Sequence, residues 1–283
     1  MVEFLRALTD PNVPFLRYSF LAGVLASVAF GIVGTYVVAR RITYIAGAIA
    51  HCVLGGIGVA LFLRIELGLT WVEPLHGALL SALLAAGIIG LVSLYGHQRE
   101  DTVIGAIWAT GMAIGAIFLA RIRGANVDPM SYLFGDILMI SRGDLWLIAG
   151  LDAVVVALAV VFYNRFQAVC FDEEFARLRG VNVGAWYLLL LCLAALTIVL
   201  LVQLVGIVMV IALLTLPAAV AGSFSRRLWQ MMALSVLACL LFTGTGMAVS
   251  YSWELPSGPA IIVVASTVYL LVAALNHFRR SAA

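Results

Sequence analysis

Nine apolar stretches, near residues 15–38, 43–63, 75–95, 102–120, 144–163, 185–203, 205–222, 228–249 and 258–276, leave this chain little freedom of fold. Each approaches the roughly 20 residues that an α-helix needs to cross a ~30 Å hydrocarbon layer, where every backbone polar group must be satisfied inside the segment. The expectation is an all-α, polytopic integral membrane protein forming a single membrane domain over residues 1–283. The stretch 131–141, SYLFGDILMIS, is too short to cross and predicts a re-entrant or interfacial helix between the fourth and fifth spans. Residues 185–222 are almost unbroken, with Gln203 and Gly206 as the turn signals; one long tilted helix there would invert everything downstream.

The composition, 64% hydrophobic and 11% charged with a net charge of +2, carries no basic run of the kind that binds nucleic acid. All 16 basic residues are arginine, so the G-x-x-x-x-G-K-[ST] phosphate loop is absent and ATP, if used, is hydrolysed by another chain. Schiff-base chemistry on lysine is excluded for the same reason. Cys52, Cys170, Cys192 and Cys239 lack C-x-x-C spacing and read as small apolar residues. No cleaved signal peptide is expected from MVEFLRALTDPNVPFLRYSF. The arginine pairs 40/41, 226/227 and 279/280 fall at span ends on one side, which by the positive-inside rule predicts N-terminus out and C-terminus cytoplasmic.

One ionisable side chain stands out. His51 lies inside the small-residue helix RITYIAGAIAHCVLGGIG, where an unpartnered polar group costs several kcal/mol and therefore marks a functional-site hypothesis. Imidazole is also the commonest transition-metal ligand, and only its neutral form ligates. The alternative is a packing histidine bonded to a backbone carbonyl. Cys52, about 100° away on the helix, reaches the same ion only if the helix breaks. Gly47, Gly55, Gly56 and Gly58 nearby allow close helix packing or backbone approach to a pathway. Asp136, in the short 131–141 segment, is a second candidate ligand, and Asp152, two turns inside a span, needs a partner. Glu66, Glu73, Asp128, Asp136, Asp144 and Glu254 fall on the expected outer side, either as an ordinary solvated rim or as a means of raising cation concentration at an entrance, and His76, His97 and His277 sit at span ends.

Residues 164–184, NRFQAVCFDEEFARLRGVNVG, place Phe171, Phe175, Leu178 and Val181 at helical spacing. Acids at the start (Asp172, Glu173, Glu174), arginines at the end and Gly180 as a stop describe a short cytoplasmic amphipathic helix over about 171–180, either a solvated connector or a docking element. Pro217, and Pro256 with Pro259 around Gly258, mark places where a helix kinks or starts, and so candidate gate hinges.

Six segments in order resemble the permeases of zinc- and manganese-type ABC importers. Arg40-Arg41, Ala48-Ile49-Ala50-His51 and Leu54-x-Gly56 resemble that family's R-R-x-x-x-x-G-D-A-L-[SA]-H-A-x-L-x-G signature. The others are Glu100-Asp101-Thr102-x-Ile104-Gly105, the Tyr132–Leu138 stretch YLFGDIL, Phe171-Asp172-Glu173-Glu174-Phe175-Ala176 with Gly180, Leu213–Ala219, and Leu255-Pro256-Ser257-Gly258-Pro259. The resemblance implies a non-catalytic transport subunit of ABC importer permease type, without a permanent cofactor, in the cytoplasmic membrane. It implies a second permease copy, a cytoplasmic ABC ATPase dimer docked at residues 171–180, an extracytoplasmic metal-binding protein, and a divalent metal cargo, zinc before manganese or iron. One position departs: the family's usual aspartate four residues before the histidine is Gly47. That departure keeps a metal chelate open as cargo. A stand-alone carrier or channel would be expected to show inverted repeats with broken midplane helices, which the sequence does not display.

Overall fold

The computed structural model describes residues 14–96, 99–122, 133, 135 and 141–281. The side chains of residues 14, 15, 203, 204 and 279–281 are outside that description, as are Asp136, His97, Asp128 and nearly all of the 131–141 segment. Eleven helices make up the described chain. Nine are long and apolar enough to cross a membrane: α1 Pro14–Ala39, α2 Thr43–Ile65, α3 Pro74–Tyr95, α4 Glu100–Arg121, α5 Arg142–Val161, α8 Val183–Val205, α9 Ile207–Phe224, α10 Leu228–Trp253 and α11 Ser257–Ser281. Two short helices, α6 Tyr163–Phe171 and α7 Glu173–Leu178, connect α5 to α8.

The long apolar run resolves into two spans. Gly206, at φ +80° and ψ 159°, is the single residue between α8 and α9, a conformation that only glycine enters without strain. Gly184 at the start of α8 lies near Leu94, while Ala219 near the end of α9 shares a cavity with Thr43, so the chain leaves and returns to the same end of the bundle. The downstream spans therefore keep the alternation read from the arginine pairs.

Two groups of helices meet along a buried seam. In one, α2 packs on α3 and α4, and α3 on α8; in the other, α1 packs on α5, α9 and α10, and α11 closes over α9 and α10. Small residues set the α2 contacts. A Cβ added to Gly56 would lie 2.0 Å from the Gly77 carbonyl oxygen of α3, and one added to Gly55 or Gly58 would lie 2.6 or 2.8 Å from the carbonyl oxygens of Gly111 and Gly115 of α4. Lipid tails are as apolar as leucine, so close backbone approach and dispersion hold such helices together.

Both turns at the arginine-bearing end of this seam are hydrogen-bonded helix stops. After α1, the Ile42 N–H donates to the Val37 carbonyl (3.0 Å) and the Arg41 N–H to that of Val38 (3.1 Å), with Arg41 in the left-handed region at φ +61°. After α7, Val181 donates to Ala176 (3.0 Å) and Gly180 to Arg177 (2.9 Å), with Gly180 at φ +74°. The pattern is the same; glycine fits the left-handed seat freely, and Arg41 occupies it at a cost of roughly 1–2 kcal/mol.

Candidate functional site

His51 sits two turns into α2 with its ring half-exposed and its Nδ1 buried without a hydrogen-bond partner. The packing alternative required a backbone carbonyl on the imidazole; Nδ1 has none. The ring instead stacks on the indole of Trp108 from α4, with centroids 4.6 Å apart and planes 12° from parallel. Trp108 is held by its Nε1–H on the Met112 sulfur (3.2 Å) and by the tilted ring of Tyr44 at 5.7 Å. Trp108 was not singled out in the sequence, because one aromatic in an apolar span looks like packing. Its place one turn before the α4 glycines that meet α2 was the available signal.

Cys52 does not join His51. α2 is unbroken, and the Cys52 thiol donates to the Ile107 carbonyl across the α2–α4 contact (3.2 Å). Gly47 differs from its neighbours: nothing lies within 4 Å of where its Cβ would be. It lines a cavity of about 430 Å³ together with Tyr44, Trp108, Thr215, Leu216 and Tyr269. Of the two readings of the small residues, close helix packing thus applies to Gly55, Gly56 and Gly58, and Gly47 is not part of it. No group of three or more His, Cys, Asp or Glu side chains that could hold a metal ion occurs among the described residues.

The other sequence candidates separate clearly. Asp152 of α5 is buried, with one carboxylate oxygen accepting from the Ala29 N–H of α1 (3.1 Å) and the other unpartnered. Arg142, at the start of α5, donates to the Tyr18 hydroxyl of α1 (2.6 Å), while Asp136 lies outside the described residues. Asp144 and His76 cap helices, through Ser141 and the Glu73 N–H. Pro217 lies inside α9 without ending it; Pro256 immediately precedes α11, and Gly258 is in its first turn.

The amphipathic segment is shorter than the expected 171–180. Asp172 ends α6 and starts α7, its carboxylate accepting from the Phe175 N–H (2.9 Å), because a residue with extended φ and ψ is needed there to cap the new helix. Ala176 faces the protein at 1% exposure, whereas Phe171, Phe175 and Leu178 point outward, Leu178 at 87%. Glu173 forms ion pairs with Arg40 and with Arg177, the latter at 3.5 Å. Arg40 lies over the Tyr187 ring of α8 (5.3 Å); the Tyr187 hydroxyl donates to Ser93 (3.3 Å), and Ser93 donates to Glu100 (3.0 Å). A cavity of about 420 Å³ opens along these groups.

Nine membrane-length helices among the described residues, with an unpaired imidazole nitrogen in one of them and an exposed apolar helix at one end, define a polytopic membrane protein. The profile of the family described as "ABC 3 transport family" matches residues 12–276, and the chain belongs to that family. It is 39% identical over 258 residues to a probable metal transport system membrane protein of Chlamydia trachomatis, covering 91% of this chain and 88% of that one. It is 30% identical over 257 residues to a manganese transport system membrane protein of Halalkalibacterium halodurans, covering 91% and 86%. Its fold matches PsaBC from Streptococcus pneumoniae, solved in complex with Fab, with a TM-score of 0.83, 28% identity and coverage of 96% and 94%.

Proposed function

We propose that this chain is the membrane-spanning subunit of an ABC importer that carries a divalent transition metal into the cytoplasm, with ATP hydrolysed by a separate chain. The observation that carries the reading is His51: a half-buried imidazole with an orphaned nitrogen, inside a membrane-length helix and stacked on Trp108, which lines a cavity, in a chain similar to metal and manganese transport membrane proteins. In this reading two copies bring two His51 rings to a shared pathway. Two donors bind a passing ion weakly enough to release it, as conduction requires. Nitrogen donors without a carboxylate favour zinc over manganese, while the names of the relatives favour manganese. The exposed apolar side of α7 is the docking surface for a cytoplasmic ATPase, which sets the arginine-bearing end inside, the N-terminus outside and the C-terminus in the cytoplasm. An extracytoplasmic metal-binding protein delivers the ion at the opposite end. Pro217, Pro256 and Gly258 serve as hinges in this scheme, and Asp136 as a further pathway carboxylate.

A chelated metal is the second reading, favoured by the roughly 430 Å³ cavity beside Gly47, which exceeds what a bare ion needs. Uptake of radioactive zinc and manganese in cells supplying the ATPase and binding protein separates the two. His51→Ala, at unchanged membrane abundance, is expected to abolish uptake of one metal, which then names the cargo. Undiminished uptake of both would remove His51 from the pathway and leave the chelate.

A further inference from the structure

The two rings of the His51–Trp108 stack stand on helices whose inner ends are tied to the same short helix. His51 is eight residues beyond the start of α2 at Thr43, and Trp108 eight residues beyond the start of α4 at Glu100. At 1.5 Å per residue both rings stand about 12 Å above those ends. The α2 end is reached through Arg40, which precedes the turn into α2 and is paired with Glu173 of α7. The α4 end is reached through the same arginine by the path Tyr187, Ser93, Glu100.

We infer that Arg40 is the positioning residue that transmits movement of α7 to the His51–Trp108 stack, so that displacement of one exposed helix shifts both halves of the candidate metal site together. The inference rests on the docking role proposed for α7. Three features suit Arg40 to it. Its side chain is 24% exposed and that of Glu173 28%, so the pair is partly shielded from water, where charge pairing is stronger than at a free surface. Its Nε is buried without a hydrogen-bond partner, so the charged pair and the Tyr187 ring carry its orientation. Its backbone is clamped by the hydrogen-bonded turn at Arg41, so a pull on the guanidinium passes to the helix ends instead of being absorbed in a soft loop. The hydroxyl arm has one direction, Tyr187 donating to Ser93 and Ser93 to the Glu100 carboxylate, and closes on an acceptor at the first residue of α4.

The test uses the full complex of permease, ATPase and binding protein in proteoliposomes, reading metal moved per ATP hydrolysed, with retention of the ATPase measured by pull-down. Arg40→Gln is expected to keep the ATPase bound and lower the metal-per-ATP ratio roughly 5-fold or more, the scale of an ordinary coupling free energy. Arg40→Glu should lower it further, and Arg40→Glu with Glu173→Arg should recover the part of the loss carried by the ion pair, while the part carried by the cation over the Tyr187 ring stays lost. Tyr187→Phe, which removes a single hydroxyl, should lower the ratio by roughly 2- to 10-fold and serves if Arg40→Gln does not accumulate. A wild-type ratio in Arg40→Gln or Tyr187→Phe, or a charge swap no better than Arg40→Glu, overturns the inference. Leu178→Asp separates it from the docking reading. If that variant keeps its ATPase, the docking role of α7 is wrong; if it releases the ATPase while Arg40→Gln transports normally, only the link through Arg40 is.

Discussion

The imidazole of His51 lies flat against the indole of Trp108, 4.6 Å between centroids, and the contact joins α2 to α4 at the level where the α2 glycines bring the two backbones together. A ligand that must hold and then release an ion needs a fixed ring, and an indole face fixes an imidazole without occupying its nitrogens. Cys52, one residue on, adds a second tie to α4 through Ile107.

Trp108→Leu should therefore weaken metal handling without destroying it. A stacked pair contributes about 0.5–1.5 kcal/mol, so metal uptake at low metal should fall roughly 2- to 12-fold, with Trp108→Phe in between. Uptake assays across a range of metal concentrations read this directly. A Trp108→Leu permease with wild-type uptake would show that the ring needs no support.

Gly47→Asp and Gly56→Ala should behave in opposite ways although both add bulk to α2. Nothing stands within 4 Å of a Cβ at Gly47, so Gly47→Asp should accumulate normally and place a carboxylate one turn from His51, raising metal affinity and slowing release. At Gly56 a Cβ would lie 2.0 Å from the Gly77 carbonyl oxygen, and Gly56→Ala should lose about 1–3 kcal/mol through forced separation of α2 and α3. Membrane abundance and thermal stability in detergent compare the pair. Equal stability of the two variants would contradict the packing described for Gly56.

Cys170 of α6, outside the membrane spans, should be inert to alkylation at ordinary pH. Burial pushes its thiol up to about 12, against the opposing pull of the Arg40 guanidinium. The thiolate is the reactive form, so at pH 8 only about one molecule in ten thousand is poised to react. As pH rises toward 12 the rate should climb about tenfold per unit, since each unit multiplies the thiolate fraction by about ten. A variant retaining Cys170 as its only cysteine, treated with iodoacetamide between pH 7 and 10, gives the profile. Fast labelling at pH 7 would mean that α6 is not seated as described.

Much of this architecture was written locally. The span boundaries follow from apolar length, because a backbone in hydrocarbon must satisfy itself within each segment. The Gly206 break, legible in the sequence only as a turn signal, is set by its positive φ and by the return of the chain that brings Gly184 and Ala219 to one end of the bundle. The cap at Asp172 shortened the amphipathic helix because a carboxylate facing the Phe175 N–H competes with helix continuation.

The sequence by itself determined the class of fold, the isolation of His51 as an ionisable group at membrane depth, and the absence of a carboxylate at position 47, since composition and spacing are properties of single segments. Only the tertiary structure decided that His51 rests on Trp108, that Gly47 opens on a cavity while Gly56 is sealed against Gly77, and that Arg40 meets Glu173 far along the chain. Those are contacts between helices, set by which faces the packing of α2 against α3, α4 and α8 brings together, and no periodicity within one helix encodes its partner.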